Sequence, residues 1–363
     1  METVYRQLQR KLNSIGLGLP ETDEGYELHY LAELFTEEEA AFVLKMERGL
    51  QTPAEVAESM NIPVEEAAEK LESMAKRNNI FRLHDGDQIK YTIFPVIHGF
   101  LEFNVDRFNS VIAKNFGKHY MKGMGHRFYG SQEPLFRVLP TRAEVVEHGE
   151  CLAEDDVEAI IRRQTRIALT PCFCRTSTQS SPKATGCTHN RDFHDTCMVF
   201  GIFADFYLEN GNATEITVEE ALAHIRRCDS EGNIIEVLNT RDVEVMCSCC
   251  PCCCGVMKAL MFFGGPSKEV AGNYKIRYEE SACVQCGICK ERCFMKAIET
   301  AEDGKVRLVE ENCVGCGLCA TTCPAKALTL HRKPEEAVYL PPTDSVVELY
   351  DHITKLRRKS YEI

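Results

Sequence analysis

Residues 283–293 read Cys283-Val284-Gln285-Cys286-Gly287-Ile288-Cys289-Lys290-Glu291-Arg292-Cys293, and residues 313–324 read Cys313-Val314-Gly315-Cys316-Gly317-Leu318-Cys319-Ala320-Thr321-Thr322-Cys323-Pro324. Both follow the spacing C-x2-C-x2-C-x3-C, 30 residues apart. Neighbours repeat at the same offset: Lys275 with Lys305, Arg277 with Arg307, Glu280 with Glu310, Lys296 with Lys326 and Ala297 with Ala327. This is an internal duplication. Zinc sites pair two C-x2-C knuckles across a dozen or more residues, so a threefold run of this kind does not suit one tetrahedral ion.

Over about residues 274–330 the sequence resembles a bacterial-type ferredoxin with two [4Fe–4S] clusters. The resemblance implies that Cys283, Cys286, Cys289 and Cys323 hold one cluster, and that Cys313, Cys316, Cys319 and Cys293 hold the other. In such a domain three thiolates cap one cubane, and the fourth, after three further residues, reaches its neighbour. The glycines let backbone N–H groups approach the sulfurs. Phe294 stands where the second copy has Pro324, a departure that leaves all eight thiols in place.

Upstream the cysteines are as dense but irregular. Of 20 in the chain, residues 1–150 hold none and residues 151–254 hold twelve. Cys151 and Cys228 stand alone and read as small buried apolar residues. The rest form two groups: Cys172, Cys174, Cys187 and Cys197, then Cys247, Cys249, Cys250, Cys252, Cys253 and Cys254. Ten thiols exceed the four of one cubane. We expect the groups to meet and hold one or two further iron–sulfur clusters, with Cys172, Cys174, Cys187 and Cys197 as one ligand set. Cys249, Cys250, Cys253 and Cys254 are the other. A zinc site, with His189 and His194 contributing, is the alternative. Adjacent Cys249-Cys250 also resembles the paired cysteines of heterodisulfide-reductase noncubane sites. That likeness is weak, because Cys283 and Cys286 downstream already belong to the repeat. Arg175 is placed to hydrogen-bond a cluster sulfur or to form a surface ion pair.

The pattern predicts a helix over 198–208, a helix opened by the Thr217/Glu220 capping box and ending near Arg227, and strands at 234–238 and 243–246. A further helix should start at Pro251 and run toward Phe263. The scattered histidines, His98 among them, read as packing residues.

The first hundred residues read as helices opened at Thr36, Thr52 and Pro63, then a strand–turn–strand at 80–93. In α-helical register Val64, Ala67, Leu71 and Met74 form the third helix's apolar stripe. Over 36–95 this order resembles a winged helix. Residues 1–100 carry ten Lys/Arg against eighteen Asp/Glu. The would-be recognition helix contains Glu65, Glu66, Glu69 and Glu72. Groove docking needs cations, so the charge argues against DNA and for a protein-contact or scaffold role. A helix is expected over 105–116, and the glycines of 123–125 form no dinucleotide fingerprint.

The 363 residues carry a net charge of −13. The opening segment lacks the apolar stretch of a signal peptide, and no apolar run spans a bilayer. Thiols at this density are then expected in a reducing cytoplasm as metal ligands. Prolines 334, 341 and 342 lead to a helix over 346–358 that should dock on another domain or subunit, a basic tip alone being a poor membrane anchor.

The expected architecture is α+β and multi-domain. Residues 1–100 form a winged-helix-like module, 101–270 an α/β Cys-rich middle domain, 271–330 a dicluster ferredoxin domain and 331–363 a tail with a docking helix. The whole resembles a broad group of multi-domain iron–sulfur proteins of anaerobes. It implies an electron-transfer component of an anaerobic oxidoreductase complex, with protein redox partners. The alternatives are a redox-sensing iron–sulfur transcription regulator and an oxidoreductase with its own substrate at a middle-domain cluster.

Overall fold

The computed structural model describes residues 2–128, 133–149, 151–180, 195–264, 270–302 and 304–361. Helices α1 (Val4–Asn13), α2 (Tyr26–Leu34), α3 (Glu37–Lys45), α4 (Pro53–Met60) and α5 (Val64–Lys76) precede an antiparallel hairpin of β1 (Phe81–Asp85) and β2 (Gln88–Thr92). Capping boxes stand at Thr36/Glu39 and Thr52/Glu55, each satisfying orphan N–H groups reciprocally. Ala67, Leu71 and Met74 are buried as the stripe predicts, but Val64, the first residue of α5, precedes the packed turn and stays exposed.

Among the described residues one buried core runs across residue 100. Phe81 of the hairpin stacks among Phe94, Phe103, Phe203 and Phe206 at centroid distances of 4.8–5.8 Å. Arg82 bonds Glu72 on one side and Glu209 on the other, tying the hairpin to helix Gly201–Glu209.

The middle is one six-stranded sheet. Its strands are β3 (Phe136–Leu139), β4 (Ile167–Pro171), β5 (Asp195–Phe200), β6 (Thr214–Glu215), β7 (Ile234–Leu238) and β8 (Val245–Cys249), in the order β3-β7-β8-β5-β4-β6. Every pairing is antiparallel, so the expected α/β middle is an α+β arrangement. Met198, Phe200, Met246 and Ile235 face helices Val157–Arg162 and Val218–Ser230. The alternate residues face the amino-terminal helices and helix Gly255–Phe263.

Several element boundaries differ from expectation. Residues 198–200 are strand, because the middle of the sheet claims Met198 and Val199 as cross-strand partners of Met246 and Val245. The strand expected at 243–246 lies at 245–249, and the helix expected to end near Arg227 continues to Ser230. The helix expected at 105–116 is Ser110–His119, where Asn109 caps two N–H groups. The helix expected at Pro251 starts at Gly255; residues 250–253 form a turn in which the Cys253 and Cys254 N–H groups donate to Cys250 O.

The carboxy-terminal helix Val346–Tyr361 docks within the chain. Val346, Leu349, Tyr350 and Ile353 join the main core, Tyr350 OH donates to His98 O at 2.6 Å, and Gly16 N donates to Thr354 Oγ1 at 2.8 Å. Its first turn rests on Glu244, whose carboxylate accepts from Val346 N at 2.7 Å. Burial pushes that carboxyl from its ordinary 4.5 up to about 7. A raised carboxyl pKa favours the folded state while the group is neutral. The contribution is full below pH 4.5 and is lost as pH climbs through about 7. Docking of this helix should therefore weaken over that interval, by about 3 kcal/mol. Glu244→Gln should flatten the profile in denaturant titrations read by amide exchange of residues 346–357.

The last module pairs β9 (Tyr274–Tyr278) with β12 (Leu328–Arg332), and β10 (Ile298–Thr300) with β11 (Val306–Leu308). The two copies of the repeat each contribute one short helix, Ile288–Arg292 and Leu318–Thr321, capped by Gly287 and Gly317 with φ of +79° and +80°. Among the described residues no helix is long and apolar enough to cross a membrane.

Candidate metal centres

Each repeat's turn wraps one small cavity. Cys283, Cys286, Cys289 and Cys323 line the first, with Tyr278 and Leu328. Cys293, Cys313, Cys316 and Cys319 line the second, with Met295, Leu318 and Leu330. The fourth thiol of each copy thus sits with the first three of the other. Matching backbone donors reach the crossing thiols: Ala297 N to Cys293 Sγ and Ala327 N to Cys323 Sγ, both at 3.3 Å. Four thiols around a small cavity, with N–H groups aimed at sulfur, suit an anionic cluster. Burial pushes the Cys316 thiol up to about 12 and Cys319 well above its ordinary range, so a metal must displace those protons on binding.

The middle thiols are assembled by sheet register. Thr170 of β4, Cys197 of β5, Cys247 of β8, Glu236 of β7 and Val138 of β3 form one cross-strand row. Alternation puts Cys249, two residues along β8, on the same face as Cys247. Cys172 stands between β4 and helix Phe173–Ser180, Cys174 lies in that helix, and Cys254 caps helix Gly255–Phe263, its sulfur accepting from Met257 N at 3.5 Å.

These six sulfurs form a closed ring. Each neighbours two others: Cys172 lies beside Cys174 and Cys197, Cys197 Sγ stands 3.9 Å from Cys247 Sγ, Cys247 lies beside Cys249, Cys249 Sγ lies within 4.8 Å of Cys254 Sγ, and Cys254 lies beside Cys174, all six lining one cavity. Hydrogen bonds from neighbouring thiols hold Cys172, Cys247 and Cys254 well below the ordinary thiol range. Donating those bonds raises Cys174, Cys197 and Cys249 well above it. Glu236 is buried beside the ring and accepts from Cys249 Sγ at 2.9 Å; burial holds its carboxyl well above the usual range.

The sequence-based ligand sets are regrouped by this geometry. Cys249 and Cys254 belong to the ring with Cys172, Cys174 and Cys197. Cys250 and Cys253 lie instead with Cys252, all three sulfurs within 4.8 Å of one another, because the turn at Pro251 reverses the chain. Tetrahedral zinc at Zn–S of about 2.3 Å separates its sulfurs by about 3.8 Å. Cys252 stands 3.0 Å from Cys250 and 3.6 Å from Cys253, both closer than that spacing. Cys187, His189 and His194 lie outside the described residues.

The ring, with Cys250 and Cys253, borders a cavity of about 600 Å³. Its other walls include Ile97, His98, Glu102, Phe116, Tyr207 and Ala259. The sequence places Cys247 and Cys252 in the dense group but in neither ligand set, and reads His98 as a packing residue; Glu102 and Glu236 go unmarked. Cys247 shares a two-residue period with Cys249 and is recoverable from strand alternation; Glu102 and Glu236 carry no local signal. Arg175 is buried; its backbone N–H bonds the Cys172 sulfur, and its side chain reaches Asn233 Oδ1 at 3.4 Å. Cys228 is fully buried as expected. Cys151 is half-buried, with its thiol pushed up to about 11 by burial.

Residues 277–330 match the family of 4Fe-4S dicluster domains. No curated protein matches the chain.

Proposed function

We propose that this chain is an iron–sulfur electron-transfer component of a larger anaerobic oxidoreductase. Cys283, Cys286, Cys289 and Cys323 hold the cluster that faces a protein partner; Cys293, Cys313, Cys316 and Cys319 hold the one that faces the middle domain. When bound, a [4Fe–4S] group in each quartet supplies one-electron redox chemistry.

One observation carries the reading. The duplicated sequence is nearly symmetric, yet its burial is not. Val284 is 65% exposed and Ile288 41%, whereas their repeat equivalents Val314 and Leu318 are 5% and 2% exposed. The outer pair offers a small apolar rim beside Cys286, the size of contact that transient redox encounters use. The inner pair joins Met295, Cys249, Cys254 and Met257 in one apolar cluster, with Cys293 and Cys316 packed against it. Thiols of the second quartet and of the middle ring therefore share a water-excluding wall.

The amino-terminal helices and hairpin serve this reading as a winged-helix-like scaffold. Cations on and beside α5 are already engaged: Lys70 pairs with Glu66 and Glu38, Lys76 with Glu72, and Arg77 with Glu39. That leaves the regulator alternative without a cationic face on this helix.

The test is anaerobic reconstitution, followed by reduction with a soluble reduced ferredoxin as donor. Val284→Asp with Ile288→Asp should leave the iron content unchanged and slow reduction by roughly tenfold, while Val64→Asp should not. Absence of iron from the reconstituted chain, or an unaltered rate in the double variant, would overturn the proposal.

A further inference from the structure

Six thiols in one ring are more than a cubane accepts. A [4Fe–4S] cluster takes four thiolates, one per iron, and a tetrahedral zinc ion also takes four. The ring's members come from four stretches of chain: the Cys172–Cys174 step from β4 into helix Phe173–Ser180, β5 with Cys197, β8 with Cys247 and Cys249, and the cap of helix Gly255–Phe263 with Cys254. No accident of local sequence explains their closure.

Two helix amino-termini address the ring. The Arg175 N–H, in the first turn of helix Phe173–Ser180, reaches the Cys172 sulfur, and Gly255 N donates to Cys174 Sγ at 3.4 Å. Met257 N, from the same turn as Gly255, donates to Cys254. Free N–H groups and two helix dipoles stabilise negative charge gathered between them.

All six ring cysteines also line the 600 Å³ cavity, a volume in the range of small-molecule sites. Two polar atoms on its walls, His98 Nε2 and Tyr207 OH, are buried and have no hydrogen-bond partner among the described residues. Buried polar atoms of this kind are rare unless something else satisfies them. Met121, Met261 and Phe262 line the same cavity and are exposed, an apolar border where it opens.

We propose that Cys172, Cys174, Cys197, Cys247, Cys249 and Cys254 together hold one iron–sulfur centre with six thiolate ligands, and that the cavity admits an exogenous small molecule to its open face. Six thiolates require more irons than a cubane or thiolates that bridge irons. The molecule that the cavity takes has a largely apolar body and a polar group able to meet His98 and Tyr207. The chain would then be the place where electrons delivered through the ferredoxin repeat are used. That last step rests on the electron-transfer reading; the ring's metal content does not.

The full chain, reconstituted anaerobically, decides the matter by iron and sulfide counts with EPR. Wild type should bind clearly more than the about eight irons of the two quartets. Cys247→Ser and Cys174→Ser should each bring the count back to about eight while preserving the EPR of the reduced ferredoxin repeat, which reports that the variant is folded. Cys228→Ala should change nothing. Cyanide, as a small probe ligand, should shift the spectrum of the middle centre and leave that of the repeat untouched. A wild-type count of about eight, zinc in place of the extra iron, or ring variants that keep the full count would overturn the six-thiolate centre. A middle-centre spectrum indifferent to cyanide would overturn the open face. Loss of the repeat's own iron in wild type would instead sink the electron-transfer reading, leaving the ring's count to be judged separately.

Discussion

Replacing Gly315 by Gln should destabilise the protein by about 3 kcal/mol and strip iron from the inner quartet, although Gln is the residue that the first copy of the repeat uses at the matching position. Gln285 sits there at φ +55°, a left-handed conformation it tolerates because the loop faces solvent. Gly315 has φ +72°, and a Cβ built on it would lie 2.4 Å from Tyr274 O and 3.1 Å from Tyr274 C. Those are backbone atoms of β9, held by pairing with Arg332 and by the Tyr274 OH, which accepts from Leu152 N at 2.9 Å. The neighbour cannot give way, so the turn carrying Cys313 and Cys316 must move. Gly315→Ala should cost nearly as much, since the clash is with Cβ itself, while Gln285→Gly should stay within about 1 kcal/mol of wild type. Urea unfolding with iron counts on the three variants makes the comparison. Equal behaviour of Gly315→Gln and Gln285→Gly would mean that the inner loop has slack the packing does not show.

The second large effect lies at the joint between sheet and ferredoxin module. Arg137 on β3 and Asp155 are both buried, 3.1 Å apart, and Asn273 Nδ2 donates to the other Asp155 oxygen at 2.9 Å. Arg137 Nη2 also reaches Glu154 O, and Val138 N bonds Ala271 O, so the pair ties β3 to the strap that leads into β9. Asp155→Ala would strand a guanidinium out of water. A cost of about 3–5 kcal/mol is expected, because removing one partner of a buried pair leaves an uncompensated charge. Arg137→Met combined with Asp155→Leu removes both charges and should recover most of that loss. Denaturant midpoints for wild type, single and double variants test it. A double variant as unstable as the single would show that the pair's net attraction, and not the stranded charge, sets the cost.

Neither site owes its strength to what a short window of sequence displays. Gly315 and Gln285 look interchangeable in the repeat; only the placement of β9 against one copy separates them. Arg137 and Asp155 carry no local sign of their pairing until β3 and the 152–155 segment are brought together. The same holds for Glu236, an acid inside an apolar strand, whose meaning comes from standing opposite Cys247.

Local rules were legible from the chain alone. The capping boxes at Thr36, Thr52 and Thr217, the hairpin at 81–92 and the strand at 234–238 follow from contacts within a few residues. So does the ferredoxin repeat, because its thiols stand three and four residues apart and the duplication supplies its own control. The middle cysteines obey a different logic. Which of them meet depends on register between β5 and β8, strands separated by about fifty residues, and a one-residue slip would turn Cys197 and Cys247 to the opposite face. Sequence determined that this chain is rich in metal-ligating thiols and where the ferredoxin pair lies. The tertiary structure alone decided that six of the remaining thiols close into one ring beside a cavity, since cross-strand pairing is a long-range property that no local spacing encodes.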